Sequence, residues 1–114
     1  MMKPEQSIQI AVCDWLRKHH PELPFMHIAN ERRCSPQAGA LLKRMGVKPG
    51  VSDLFFPRGN SNASGLWLEL KSETGRATPA QISFMKEMRL EGYEAEVAYS
   101  WQEALQYISM FYGL

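Results

Sequence analysis

The chain has 114 residues and a mass of 13.0 kDa, which suits a single domain spanning residues 1–114 and leaves too little chain for two. Hydrophobic residues make up 45% and charged residues 22%, a globular composition that excludes wholesale disorder, and no stretch approaches the roughly 18 apolar residues of a membrane span. The formal charge of +1 excludes a strongly basic coat around nucleic acid, although it leaves room for a local basic patch.

The first helix is predicted from about Lys3 to His19. Pro4 suits its first turn, where the backbone N–H that proline lacks would have no partner inside the helix. The apolar residues that recur at helical spacing are Ile8, Val12, Trp15 and Leu16. The polar start of this segment lacks the apolar core of a signal peptide, so we expect a cytoplasmic protein.

The remaining elements follow from turn residues and apolar patterning. In chain order they are a short strand over 24–29, a helix from Ser35 to Gly46, and strands over Asp53–Phe56 and Leu66–Leu70. A helix from Thr78 to Gly92, a strand over Tyr93–Tyr99 and a final helix after Ser100 complete the chain. The apolar stripe of the Thr78 helix is Ile82, Met85 and Met88, and that of the final helix is Ala104, Leu105, Ile108, Phe111 and Tyr112. The order α-β-α-β-β-α-β-α predicts an α/β fold. Its last strand–helix–strand unit implies a parallel crossover and hence a mixed β-sheet flanked by helices.

Charged residues interrupt two of the apolar strands. Asp53 opens the first, and Glu69 and Lys71 lie in or beside the second, LWLELKS. Because alternate residues of a strand share a face, Glu69 and Lys71 lie on the side of Trp67, and the three leucines lie on the other. A half-exposed hairpin face with an ordinary Glu–Lys pair would show the same pattern.

Glu5 and Gln81 are polar residues that continue buried helix stripes. Glu5 lies about 20° from both Val12 and Leu16 around the first helix, and Gln81 lies about 20° from Met88 on the third. A polar group in such a position needs a partner, because burying it unpaired costs a few kcal/mol. The alternative is that the stripe ends are wet and both residues are ordinary surface residues.

Converging carboxylates have a chemical explanation. They repel one another unless a cation lies among them, and hard divalent ions such as Mg²⁺ take oxygen ligands and keep several waters. A lysine beside such a site can position or help to deprotonate a bound water, which is what phosphodiester hydrolysis requires. Cys13, Cys34 and the three histidines, in contrast, form neither a disulfide framework nor a zinc pattern.

The segments GVSDLFFP and LWLELKSETGRATPAQ resemble the PD-(D/E)xK nuclease signature, and the closest match is the virus-type replication-repair nuclease (VRR-NUC) domain in its small stand-alone form. The resemblance extends over nearly the whole chain and also includes Glu5, Gly75, Gln81 and the closing strand and helix. One departure is Ser52, which stands where the superfamily has its proline.

The resemblance implies a restriction-endonuclease-like core and a DNA endonuclease that uses Mg²⁺ or Mn²⁺. It makes Asp53, Glu69 and the backbone carbonyl of Leu70 metal ligands, with Glu5 near the metal directly or through water. It also implies that Lys71 orients or activates the attacking water and that Gln81 supports the site near the lysine or the scissile phosphate.

Basic residues are concentrated in the middle of the chain. Six basic and two acidic residues occur between Glu31 and Arg58, whereas two basic and five acidic residues follow Ala77. We predict phosphate contacts by this stretch and by the loop around Arg76, without base reading, through Arg32, Arg33, Lys43, Arg44, Lys48 and Arg76. A solvated helix face is the alternative, as is chance scatter of charge.

The stand-alone members resemble Holliday junction resolvases, which implies a homodimer acting on four-way junctions, because two symmetric sites can nick two strands. The apolar segment Tyr107–Leu114 could bury against a partner or form a core helix. Two other functions stay open, namely a nuclease for flap, nicked or single-stranded DNA ends and a non-catalytic DNA-binding module on the same fold.

Overall fold

The computed structural model describes residues 2–29 and 35–114, which form four helices and four strands in the predicted order. The elements are α1 (Pro4–His19), β1 (Met26–His27), α2 (Pro36–Arg44), β2 (Leu54–Phe56), β3 (Leu66–Leu70), α3 (Pro79–Leu90), β4 (Glu94–Ala98) and α4 (Trp101–Tyr112). Within the described residues, no helix is long and apolar enough to cross a membrane.

The helices begin where their capping residues predict. Ser35, Thr78 and Ser100 each accept a hydrogen bond from the backbone N–H three residues further on, at 3.1, 3.2 and 3.0 Å. These side chains satisfy an N–H that has no partner inside the helix. A proline occupies the first position of the first three helices, at Pro4, Pro36 and Pro79, where a backbone N–H would have no partner inside the helix.

The four strands form one mixed sheet in the order β1-β2-β3-β4. The first three are antiparallel neighbours, and β3 and β4 run parallel, joined by the crossover through α3. This arrangement confirms the α/β fold with a mixed sheet. β1 is shorter than the predicted strand over 24–29, because only Met26 and His27 pair with β2.

The two faces of β3 differ as its alternation predicts. Leu66, Leu68 and Leu70 are at most 1% exposed and belong to the main core. Trp67 points to the other face and stacks on its cross-strand neighbour Phe55, with ring centroids 4.2 Å apart. Strand residues two apart share a side, so Glu69 lies on the face of Trp67.

Helices α1 and α4 form the main core together with the face of β3 that carries Leu66, Leu68 and Leu70. Its helical members include Val12 and Leu16 from α1, and Ala104, Ile108 and Phe111 from α4. The C-terminal segment Tyr107–Leu114 is therefore a core helix of this chain over most of its length, and of its large apolar side chains only Met110 and Leu114 are exposed.

Helix α3 packs with part of the predicted stripe, because Met85 is buried and Met88 is half-buried but Ile82 is not. Ile82 is 43% exposed, whereas Phe84 and Met85 are each 4% exposed. Phe84 meets Trp67 edge to face at a centroid distance of 5.0 Å. The aromatic contact sets the rotation of α3 on the sheet, and the predicted inward position of Ile82 is wrong.

Gly50 joins the segment before Asp53 to the first turn of α3. Its φ of +81° favours glycine, and a Cβ there would overlap the backbone carbonyl of Ala80 and lie 2.7 Å from the amide nitrogen of Gln81. The turn at Lys48, Pro49 and Gly50 therefore packs directly against the helix end that carries Gln81.

We expect Gly50→Ala to lower the free energy of unfolding by about 1–3 kcal/mol more than Gly46→Ala. Gly46 has a similar φ of +99°, but an added methyl group there would have nothing within 4 Å, so the pair separates backbone strain from overlap. Urea denaturation at constant m-value measures the difference. Equal losses in the two variants would mean that the close approach at Gly50 contributes nothing.

Candidate active site

Asp53 lies immediately before β2 and is 8% exposed. Its Oδ2 accepts the backbone N–H of Leu70 at 2.7 Å, which satisfies one carboxylate oxygen at the end of the β2–β3 ladder. Its carbonyl accepts the N–H of Ile28 at 3.0 Å and the Nδ1–H of His27 at 2.8 Å. Contacts from both neighbouring strands therefore fix this aspartate.

Glu69 is 2% exposed and is held from the side of α3. Gln81 donates a hydrogen bond from Nε2 to Glu69 Oε2 at 3.2 Å. The other end of the same amide belongs to the helix cap, because Gln81 Oε1 accepts the backbone N–H of Thr78 at 2.8 Å. Gln81 thus links the first turn of α3 to the buried carboxylate.

Lys71 follows β3 and brings its ammonium group between two carboxylates. Its Nζ lies 3.8 Å from Glu69 Oε2 and 3.9 Å from Glu5 Oε1. The lysine side chain is 11% exposed and that of Glu5 is 44% exposed, so Glu5 forms the wet side of the group. The backbone N–H of Lys71 donates to the carbonyl of Ala98 at 2.9 Å, which anchors the residue beside β4.

Asp53, Glu69, Lys71 and Glu5 line one pocket of about 200 Å³ at the end of the sheet, hereafter the active-site pocket. Asp53, Glu69, Leu70 and Lys71 form its sheet side, and the first turns of α1 close the opposite side. The N–H and C=O of a strand residue point the same way, and the N–H of Leu70 points to Asp53. The Leu70 carbonyl therefore points to the β2 side of β3, the side on which Asp53 lies.

The donor set fits a hard divalent cation. Asp53, Glu69 and the Leu70 carbonyl offer only oxygen, and three protein ligands leave room for the waters that Mg²⁺ retains. Among residues 2–29 and 35–114, no three acidic, histidine or cysteine side chains form a preassembled metal cluster. The pocket therefore offers two buried carboxylates and one backbone carbonyl as metal ligands. The carboxylate of Glu5 contacts Lys71.

The predicted phosphate-binding residues differ in their surroundings. Lys43, Arg44 and Arg76 are exposed, as free phosphate contacts would be. Lys48 is also exposed, but its Nζ lies 3.0 Å from Glu87 Oε1, so a phosphate would compete with that carboxylate. Arg32 and Arg33 lie outside the described residues.

Acidic residues of the second half of the chain lie on and around β4. Burial raises the pKa of Glu96, an effect that Arg89 opposes and Glu94 reinforces. Glu94 and Glu96 alternate along β4 and are partly exposed, which gives the β4 edge of the sheet an acidic surface. Such a surface disfavours contact with a polyanion.

Four residues around the site were not identified from the sequence. Lys3, Gln6 and Gln9 come from α1 and its cap and line the active-site pocket, and His27 holds the carbonyl of Asp53. Gln6 is exposed and lies off the apolar stripe of α1, whereas Gln9 is half-buried and lies about 20° from Leu16, a helical spacing that could have pointed to it. The contact of His27 spans 26 residues, and no local pattern signals it.

Comparison with known proteins adds a family to this geometry. The model of the VRR-NUC domain family matches residues 3–102. A solved structure described as a VRR_NUC domain protein superimposes with a TM-score of 0.83 at 29% sequence identity, covering 100% of this chain and 92% of the other. No curated protein sequence matches the chain.

Proposed function

Because the chain belongs to the VRR-NUC domain family, and is thereby a nuclease of the PD-(D/E)xK type, we propose that it is a metal-dependent endonuclease that hydrolyses phosphodiester bonds in DNA. One observation carries the proposal. Two buried carboxylates, the Leu70 carbonyl and the Lys71 ammonium line a single small pocket. We take residues 1–114 as one nuclease domain.

In this proposal each residue has a distinct part. Asp53, Glu69 and the carbonyl of Leu70 hold Mg²⁺ or Mn²⁺, which when bound lowers the pKa of a coordinated water and neutralises phosphate charge. Lys71 orients the attacking water and adds positive charge beside the scissile phosphate. Glu5 holds the lysine ammonium from the solvent side, and Gln81 keeps Glu69 in place.

Branched DNA is the substrate that we propose, with a homodimer as the active form. A two-fold dimer carries two active sites and can nick two strands of a four-way junction in one binding event. Light scattering at micromolar protein tests the assembly. A 13.0 kDa monomer that resolves junctions efficiently would overturn the dimer.

The decisive experiment compares end-labelled four-way junction, flap, nicked duplex, single strand and linear duplex with Mg²⁺, Mn²⁺ and Ca²⁺. We expect cleavage of branched forms with Mg²⁺ or Mn²⁺, and binding without cleavage in Ca²⁺. Cleavage of flaps or single-stranded ends alone would reassign the substrate. Binding with no cleavage of any DNA would make the chain a non-catalytic module.

We expect Lys43→Gln/Arg44→Gln to weaken binding to all DNA forms to a similar degree. Each phosphate contact that is lost should lower the slope of log K against log salt by about 0.9. Lys18→Gln/Lys86→Gln removes the same charge from two other exposed positions and should have a smaller effect. Fluorescence anisotropy at several salt concentrations measures both, and equal slopes in the two double variants would place the DNA on another face.

A further inference from the structure

A second pocket of about 380 Å³ lies beside the active-site pocket. Met2, Gln6, Gln9, Ile10 and His27 line it. Gln6 and Gln9 line the active-site pocket as well, so the two pockets lie on either side of these two amides. A molecule bound in the active-site pocket reaches the second pocket by passing Gln6 and Gln9.

The two pockets differ sharply in charge. Five charged side chains line the active-site pocket, namely Lys3, Glu5, Asp53, Glu69 and Lys71. No lysine, arginine, aspartate or glutamate is among the described residues that line the second. It offers two amides, two apolar side chains and one imidazole, which is a surface for an uncharged group with polar edges.

The imidazole of His27 is fixed in orientation. The carbonyl of Asp53 can only accept, so Nδ1 of His27 carries the hydrogen of their 2.8 Å hydrogen bond. In the neutral ring Nε2 is then an acceptor, and the ring is tied to the backbone of a residue that we propose as a metal ligand. The hydrogen bond between His27 and Asp53 therefore joins one wall of each pocket.

A nucleotide has this division of charge, with an anionic phosphate and an uncharged base. Ile10 is 47% and Met2 is 53% exposed, and a base that covers them removes apolar surface from water. Glutamine amides can both donate to and accept from a base edge. The Oε1 of Gln6 already accepts the N–H of Lys3 at 2.9 Å, so this side chain presents its NH₂ as a donor.

We infer that the pocket formed by Met2, Gln6, Gln9, Ile10 and His27 binds the base of the nucleotide next to the scissile phosphate, in an unpaired state. The inference rests on the proposed nuclease function and adds a criterion for substrate choice. A base inside a continuous duplex must be unpaired and unstacked before it can enter, whereas a base at a branch point or in a flap is partly free of this cost. The pocket thus favours cleavage at interruptions of the duplex.

The test removes the base and the pocket separately and together. The cut position is first mapped on a labelled branched DNA in Mn²⁺, and an abasic analogue is then placed on either side of it. We expect kcat/KM to fall about tenfold, mainly through KM, for one of the two flanking positions. An abasic site several nucleotides away should have no effect.

The variant Gln9→Ala/Ile10→Ala should lose about tenfold on intact DNA and nothing further on the abasic DNA. The matched control Leu90→Ala/Gln106→Ala alters one exposed apolar and one exposed amide side chain elsewhere and should behave as the parent. Both pairs are at exposed or half-buried helix positions, so folding should be retained, and circular dichroism checks this.

The outcomes separate the inference from the function on which it rests. Efficient cleavage that is insensitive to an abasic site on either side would overturn the base pocket and leave the nuclease intact. An equal further loss when base and pocket are both removed would do the same, because the two changes would then be independent. No cleavage of any DNA by the parent would overturn the proposed function and the pocket's role together.

Discussion

Asp53→Asn should lower the cleavage rate about a thousandfold and leave DNA binding unchanged or tighter. The substitution keeps an oxygen that can accept the Leu70 N–H at the 2.7 Å contact, so the ladder end is preserved while the charge that holds a cation is removed. Loss of a negative charge facing phosphate reduces repulsion of the DNA. Glu69→Gln should act in the same way.

Single-turnover cleavage and anisotropy measure the two effects, and Mn²⁺ titration by calorimetry shows whether metal binding is lost. Asp14→Asn is the matched control, because this aspartate is exposed on α1 and is not among the residues that line the active-site pocket. Cleavage by Asp53→Asn at more than a few per cent of the parent rate would remove Asp53 from the active site.

Lys71→Met should lower turnover about a hundredfold with little change in Mn²⁺ affinity. Methionine preserves most of the buried stem of this 11% exposed side chain and removes the ammonium that lies 3.8 Å from Glu69 and 3.9 Å from Glu5. The loss should therefore appear in kcat. Lys86→Met, on an exposed face of α3, provides the comparison.

The metal titration decides between a chemical and a structural role for Lys71. Metal affinity that falls with turnover in Lys71→Met would mean that the lysine mainly holds Glu69 in position. Cleavage assays at Mn²⁺ concentrations well above the measured Kd give a second readout. Excess Mn²⁺ should restore cleavage if Lys71→Met only weakens metal binding, and it should not if the variant has lost a chemical role.

Local patterning was sufficient to predict the strand that carries most of the site. The bounds Leu66–Leu70 and the opposite facing of the leucines and Glu69 follow from period-two alternation, which the turn residues on either side delimit. The helix starts at Ser35, Thr78 and Ser100 could be predicted equally well from the sequence, because capping depends on residues three positions apart.

Contacts between segments that are distant in the sequence could not be predicted from local patterning. The outward position of Ile82 depends on Phe84 packing against Trp67 of a strand, which helical periodicity cannot weigh. The contact of His27 with Asp53 and the placement of Gln6 and Gln9 between two pockets likewise require the sheet and α1 to be assembled first. The catalytic positions of Asp53, Glu69 and Lys71 stay predictions from the resemblance, which the geometry supports.

The double attachment of Gln81 ties the persistence of the site to the fraying of a helix end. Helix termini open and close far more often than whole domains unfold, and each opening of the first turn of α3 breaks the Thr78 contact and the Glu69 contact of the same amide. Each opening of this turn therefore removes one of the contacts that orient the buried carboxylate. Any ligand that restrains Glu69 slows amide exchange in the helix turn that carries Gln81, twelve residues away along the chain.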